Sequence, residues 1–168
     1  MPVLYFIVRP ATPEDAEQIA DAHVQSIRSV GAEYYEPDVI VVWGAPRGGE
    51  RYRCGMKKGD PHFVAVSDGD ILGFSVYHYR EGRHRTGVYV RGEAVRNGVG
   101  SALFKAAEAE AIKRGATEIH VDASLAAVTF YKKHGFEELA PGKHRLKSGT
   151  LMDCVFMRKV LHGSAPGA

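Results

Sequence analysis

The sequence predicts a single α/β domain, a mixed sheet flanked by helices in the order β-α-α-β-β-β-α-β-α-β-β. Three observations carry that expectation. Residues 62–66 and 71–79 are rich in β-branched and aromatic side chains, and Asp68-Gly69-Asp70 between them is a hairpin signal. Residues 98–114 place Val99, Leu103, Phe104, Ala107 and Ala111 on one helical stripe, with Gly115 as the stop. Short strand and helix patterns then alternate toward the C-terminus.

Each element has its own signal. The apolar run 3–8 leads into a first strand ending at residues 7–9. Thr12, Pro13 and Asp15 read as a helix start: a capping Thr, Pro at the first helical position, and an acid three residues on. Ala16, Ile19, Ala20, His23, Ile27 and Val30 then keep helical spacing. Residues 33–43 predict a second helical segment entered through Pro37. Residues 45–61 are Gly-rich and polar, with part of the stretch helical. Residues 86–91 form a further strand and residues 119–122 a short one. Ser124 caps a helix running to Lys133, with Gly135 at its end. Residues 136–139 and 152–159 close the chain as strands. The domain spans residues 1–162, and 163–168 read as a loose tail.

Composition excludes several classes. With 168 residues, 45% hydrophobic and 25% charged, the chain can bury a core without disulfides or metal. A net charge of +2 is too mild to argue for nucleic acid, though it suits a small anionic ligand. Cys54 and Cys154 form no CxxC pair, and the eight histidines show neither HxH nor HExxH spacing, so no metal site is expected. No stretch is long enough to span a bilayer. The N-terminal run lacks a basic lead-in and a cleavage site. Cytoplasm is the default expectation.

Val95-Arg96-Asn97-Gly98-Val99-Gly100-Ser101 lies between a strand and the strongest helix. Glycines there let backbone approach a ligand. The helix start presents unpaired N–H groups and a partial positive charge of roughly half a unit, which favours a phosphate. Arg96 adds a mobile cation. The P-loop pattern fails, because no Lys-Ser or Lys-Thr follows the second glycine. A dinucleotide fold wants a third small residue and an acid about 20 residues on. Asp122 stands near that distance, but Leu103 holds the small position and too little chain remains for a second nucleotide-binding half. Asp122 otherwise reads as a cap for the following helix.

A second motif completes the picture. Ala127-Val128-Thr129-Phe130-Tyr131-Lys132-Lys133-His134-Gly135-Phe136 fits A-x-x-F-Y-x-x-x-G-F, and Gly98-Val99-Gly100 fits the end of Q/R-x-x-G-x-G/A. Two motifs in register resemble the coenzyme A half of GNAT N-acetyltransferases, in particular small bacterial stand-alone members. The order of the N-terminal elements is similar too. Two positions depart from the pattern: Val95 where the family often has Gln or Arg, and Ser124 where many members have Asn near the pantetheine arm.

The resemblance implies a GNAT fold: a mixed, mostly antiparallel seven-stranded sheet flanked by about four helices. It implies acetyl-CoA as co-substrate, no metal, and direct transfer to a primary amine in a ternary complex. A small-molecule acceptor is expected, with a protein N-terminus or lysine as the alternative. A non-catalytic acyl-CoA-binding domain is the rival of another class. Homodimers are common in this family, although no interface is legible here, and neither nucleic acid nor membrane is expected as a partner.

The family's fourth strand splays from the fifth, so the backbone of Val88, Tyr89 and Val90 is expected to meet the pantetheine arm, with Val90 N–H as an oxyanion donor. The glycine loop, Val95 to Ser101, and Ser124 complete that site. Tyr131 corresponds to the family tyrosine that protonates the leaving thiolate. The base that receives the amine proton is open: His84, whose imidazole titrates near ~6.5 when unperturbed, Glu81, or a water chain. Tyr34, Tyr35 and Trp43 fall in the segment that lines the acceptor pocket in the family. His23 reads as a packed histidine. Neither cysteine has a neighbouring His pattern that argues for a nucleophile.

Overall fold

The computed structural model describes residues 3–162, so the tail expected at 163–168 lies outside the described residues. Seven strands form one sheet: β1 (Ile7–Pro10), β2 (His62–Ser67), β3 (Asp70–Arg80), β4 (Arg83–Val90), β5 (Glu118–Ser124), β6 (Glu137–Arg145) and β7 (Leu151–Val160). Their spatial order is β1-β2-β3-β4-β5-β7-β6. Neighbours are antiparallel except β4 and β5, which run parallel. Among the described residues, five α-helices flank the sheet: α1 (Ala16–Val30), α2 (Pro37–Trp43), α3 (Glu50–Lys57), α4 (Val99–Lys113) and α5 (Val128–Lys133). The mixed, mostly antiparallel sheet is the expected one. The helical part expected within the Gly-rich stretch 45–61 is α3.

Local chemistry adjusts two of the expected boundaries. Pro13 opens a single 3₁₀ turn, Pro13–Asp15, and α1 follows from Ala16. Asp15 closes the turn by accepting from Thr12 N–H at 2.8 Å, and both Arg9 amino groups donate to its carboxylate at 2.7 and 2.9 Å. Those hydrogen bonds from Arg9 hold the Asp15 carboxyl below its usual range. Ser124 ends β5 instead of capping a helix. Its carbonyl accepts from Ala127 N–H, and α5 begins one residue later.

Alternation along the strands builds a core on each face. On one face Ile19 and Ala20 of α1 and Tyr52 of α3 pack against Val64, Ile71 and Phe74. On the other, Val99 and Leu103 of α4 meet Ala65, while Phe104 and Tyr131 cluster with Ile119, Val121 and Met157. Ser75, fully buried, donates to the Leu103 carbonyl at 2.8 Å and ties α4 to the sheet.

The parallel pair is brief. Arg85 opposite His120 is its single registered position. Beyond it β4 leaves β5 and keeps only β3 as a partner. Arg91 N–H donates to the Leu72 carbonyl at 2.8 Å, across β3. Because peptide groups alternate along a strand, the N–H groups of Val88 and Val90 point the other way, into the gap.

Gly73 faces this part of β4. A Cβ there would stand 2.5 Å from the Tyr89 carbonyl oxygen and 3.0 Å from the Val90 Cα, both backbone atoms. Gly73→Ala is therefore expected to displace β4 and to cost about 1–3 kcal/mol. Urea unfolding with the wild type alongside measures that loss.

Candidate active site

The gap between β4 and β5 opens into a cleft of about 1160 Å³. Val88, Tyr89 and Val90 form one wall; Val95, Arg96, Gly98, Gly100 and Ser101 line it from the glycine loop; Ser124, Phe130, Tyr131 and Lys133 line it from β5 and α5. The structure thus brings together most of the residues expected at the coenzyme site.

The loop has the geometry of a cradle. Arg96 and Gly98 both have positive φ, 65° and 79°, and Gly98 is the residue before α4. At such a φ a side chain is strained, so glycine suits the position. A Cβ on Gly100 would approach the Phe130 ring to 3.1 Å, so Phe130 takes the space that a side chain on the first turn of α4 would need. Two expected contacts are not made by side chains. Asn97 turns back and donates to the Ala94 and Val95 carbonyls at 3.3 and 2.9 Å, bracing the loop. Val99 is 1% exposed and belongs to the core. Ser101 Oγ lies 2.9 Å from His134 Nε2, which fixes the first turn of α4 against the end of α5. The free N–H groups of this turn, with exposed Arg96, can receive a phosphate.

Tyr131 is 3% exposed and lines the cleft. Burial raises its pKa, with the Val88 backbone acting in the opposite sense, so the phenol keeps its proton at any working pH. A neutral O–H beside the open stretch of β4 can donate a proton or a hydrogen bond.

The catalytic-base candidates separate. Glu81, in the β3–β4 turn with φ of 53°, lies on the cleft rim. His84 does not reach the cleft. Side chains alternate along β4, and His84 faces the α4 side, where Nδ1 lies 2.6 Å from Tyr77 Oη and the ring packs on Tyr77 and Tyr79. One residue of strand parity decides this placement, since His84 and Arg85 face opposite sides of the sheet. Arg85, its neighbour, faces the cleft and pairs with Asp122 at 2.7 Å across the last joined register of β4 and β5. His144 and then Arg85 hold the Asp122 carboxyl below its usual range. Asp122 is thus a strand-to-strand staple and not a helix cap.

The acceptor-side aromatics also divide. Tyr34 and Trp43 line the cleft. Tyr35 turns away from it and acts as a latch: Leu125 N–H donates to its hydroxyl at 2.9 Å, and the hydroxyl donates to the Asp153 carbonyl at 2.6 Å. Trp43 meets Tyr35 edge-on at 5.5 Å. His23 is packed, as its place on the apolar stripe of α1 implies, whereas Tyr52 lies in a polar stretch where nothing local marks it as the partner of His23. Cys154 is buried, and burial, then Asp122, pushes its thiol up to about 11, which leaves no thiolate for nucleophilic attack.

The model of the acetyltransferase (GNAT) domain matches residues 42–161, more than half of the chain. The chain belongs to the GNAT family. This GNAT chain is 26% identical over 132 residues to the uncharacterized N-acetyltransferase YafP of Escherichia coli, covering 77% of this chain and 80% of that one. Its fold matches a GCN5-related N-acetyltransferase from Rhodopseudomonas palustris with a TM-score of 0.82, at 27% identity, over 96% of this chain and 99% of the other. A PaiA N-acetyltransferase from Thermoplasma acidophilum, solved with coenzyme A, shares the fold at 18% identity and a TM-score of 0.74, over 94% and 100% of the two chains. As a GNAT member this protein is an acetyl-CoA-dependent acyltransferase. Among the described residues, no helix is long and apolar enough to cross a membrane.

Two outcomes follow from the geometry. Burial, then Arg47 and Arg51, hold the pKa of His23 well below the ordinary imidazole value of ~6.5. The unfolded chain therefore takes up a proton below that pH while the folded chain does not, so stability is full above it and falls as the medium is acidified. Thermal melts from pH 8 to 5 are expected to show the decline setting in near neutrality, with a shallower slope in His23→Phe. Tyr35→Phe removes both latch bonds and is expected to cost about 1–2 kcal/mol, read from chemical denaturation.

Proposed function

We propose that this GNAT enzyme transfers acetyl from acetyl-CoA directly to a primary amine of a small molecule, with both substrates held in one ternary complex. One observation carries the reading. The parting of β4 from β5 turns the Val88 and Val90 N–H groups into a cleft that has a glycine cradle in one wall and the Tyr131 hydroxyl in the other. The coenzyme A held by the Thermoplasma relative supports the same choice of co-substrate.

The residues then divide the work. The N–H groups of the first turn of α4, with Arg96 and Lys133 as mobile cations, hold the phosphates. The exposed edge of β4 at Val88 to Val90 extends along the pantetheine arm as a missing strand would, and Ser124 supplies a hydroxyl beside it. Bound there, acetyl-CoA supplies the activated acyl group. Val90 N–H stabilises negative charge developing on the thioester oxygen. Tyr131, kept protonated by burial, donates to the departing sulfur. The acceptor enters from the α1 side, between Tyr34 and Trp43. Its amine proton leaves through Glu81 on the rim or through water. With Cys154 protonated and buried, transfer needs no acyl-enzyme.

A thermal shift with acetyl-CoA, with NAD as control, tests the cleft. Saturation at 100 times Kd adds about 2.7 kcal/mol of stability, and NAD adds none. Tyr131→Phe is expected to lower kcat by about 10²-fold with little change in KM for acetyl-CoA. Unchanged turnover in that variant removes Tyr131 from its role. No shift with acetyl-CoA, in protein shown to be folded, overturns the whole reading.

A further inference from the structure

On the α1 side of the cleft, four rings and two arginines form a cluster that the transfer chemistry leaves unused. His23 is buried in the inward face of α1, and its Nδ1 lies 2.7 Å from Tyr52 Oη on α3. Its ring centroid is 4.0 Å from Tyr89 of β4 and 5.3 Å from Phe74. Its Nε2 has no hydrogen-bond partner among the described residues. Arg51 crosses the Tyr52 ring at 5.8 Å. His23, Arg51, Tyr52 and Tyr89 all line the cleft.

Positive charge gathers beside neutral rings here. Burial raises the pKa of both Tyr52 and Tyr89 and lowers that of His23, and Arg47 and Arg51 add to the lowering on the histidine. Glu17 and Glu50 are both engaged by Arg53, at 3.0 and 3.2 Å, and Asp60 by Arg80 at 2.6 Å, while Glu33 and Glu81 line the same cleft and can meet the cationic end of a ligand. Arg47 spends its hydrogen bonds on the Trp43 and Ala45 carbonyls and reaches the Tyr52 hydroxyl, so Arg51 is the arginine of the two that faces the cleft. Neither Arg47 nor Arg51 has an acidic partner among the ion pairs of the described residues. Arg51 is exposed and lies over the Tyr52 ring, so its charge stays solvated and open to an anion in the cleft, and guanidinium binds carboxylate strongly. The phosphates of the co-substrate have their own donors at the glycine loop, so this charge is left for the acceptor. Tyr89 stands between Val88 and Val90, so a ligand over its ring lies next to the two N–H groups of the gap.

We propose that the acceptor is an amine that also carries a carboxylate, seated against Arg51 and the Tyr89 hydroxyl, with the His23–Tyr52 pair as positioning residues that hold both in place. The inference rests on acyl transfer to an amine and names its substrate class. His23 is not the base. Its surroundings resist the imidazolium that accepting a proton would create, and Tyr52 already occupies Nδ1.

Matched acceptors test it: L-phenylalanine against phenethylamine, L-leucine against isoamylamine, and L-methionine against 3-methylthiopropylamine. The amino acid of a pair is expected to have the higher kcat/KM, by about tenfold or more. Arg51→Gln, on an exposed side chain, and Tyr89→Phe are expected to lower that ratio, with the loss in KM and not in kcat. His23→Phe lowers it the same way, and His23→Gln, whose amide can still reach Tyr52, restores part of it. Equal use of both members of each pair, or equal losses on both in Arg51→Gln, overturns the inference. So does the absence of turnover with every carboxylate-bearing member. Acetyl-CoA binding, measured on the same sample by thermal shift, reports separately on the acyltransferase reading.

Discussion

The structure depends on where the parallel pairing of β4 and β5 stops. A sheet edge inside a folded chain is ordinarily a liability, because its N–H and carbonyl groups must find partners or water. Here the edge is created by one missing stretch of ladder past Arg85 and His120. The Arg85–Asp122 pair holds the strands together up to that point. Cores on both faces keep β4 in line after it has lost a neighbour, with Phe74 stacked on Tyr89 on one side and Val88 and Val90 packed near Leu103 on the other. The cleft is the space left by a strand that the fold does not supply.

Two kinds of surface meet at that space. Toward the coenzyme, the molecule offers mostly main chain: the N–H groups of β4 and of the first turn of α4. Toward the acceptor it offers side chains from α1, α2 and α3, among them Trp43, Arg51 and Tyr52. The Tyr35 hydroxyl joins the two territories, since it sits in the segment between α1 and α2 yet bonds the backbone after β5 and within β7. Tyr131 and Tyr89 both line the cleft beside the opened strand.

Much of this was legible in the sequence, for identifiable reasons. The stripe of α4, the hairpin at Asp68-Gly69 and the motif from Ala127 to Phe136 are local patterns, and local patterns reveal elements and their order. The glycine loop was legible as a tight turn before α4, because the positive φ of Gly98 is a backbone property. The misplaced residues all turn on long-range geometry. His84 required the face of β4 to be known, and one residue of parity reverses the answer. Tyr35 bonds groups 90 and 118 positions away, and Asp122 pairs with a residue on another strand. The His23–Tyr52 pair spans 29 positions and two helices. Charge balance around Arg51 depends on which acids Arg53 has already taken, something no spacing records.

The unequal chemistry of the two walls has a consequence for how such a protein can change over generations. Backbone donors are indifferent to the side chains that carry them, so substitutions along β4 and the loop can accumulate while the nucleotide is still held. In the reading proposed above, the acceptor wall is made of side chains on three helices outside the ladder, and exchanging a few of them would change what is acetylated without disturbing the donor. Ancestry is therefore inherited through the strand, and diversification through the helices that face it.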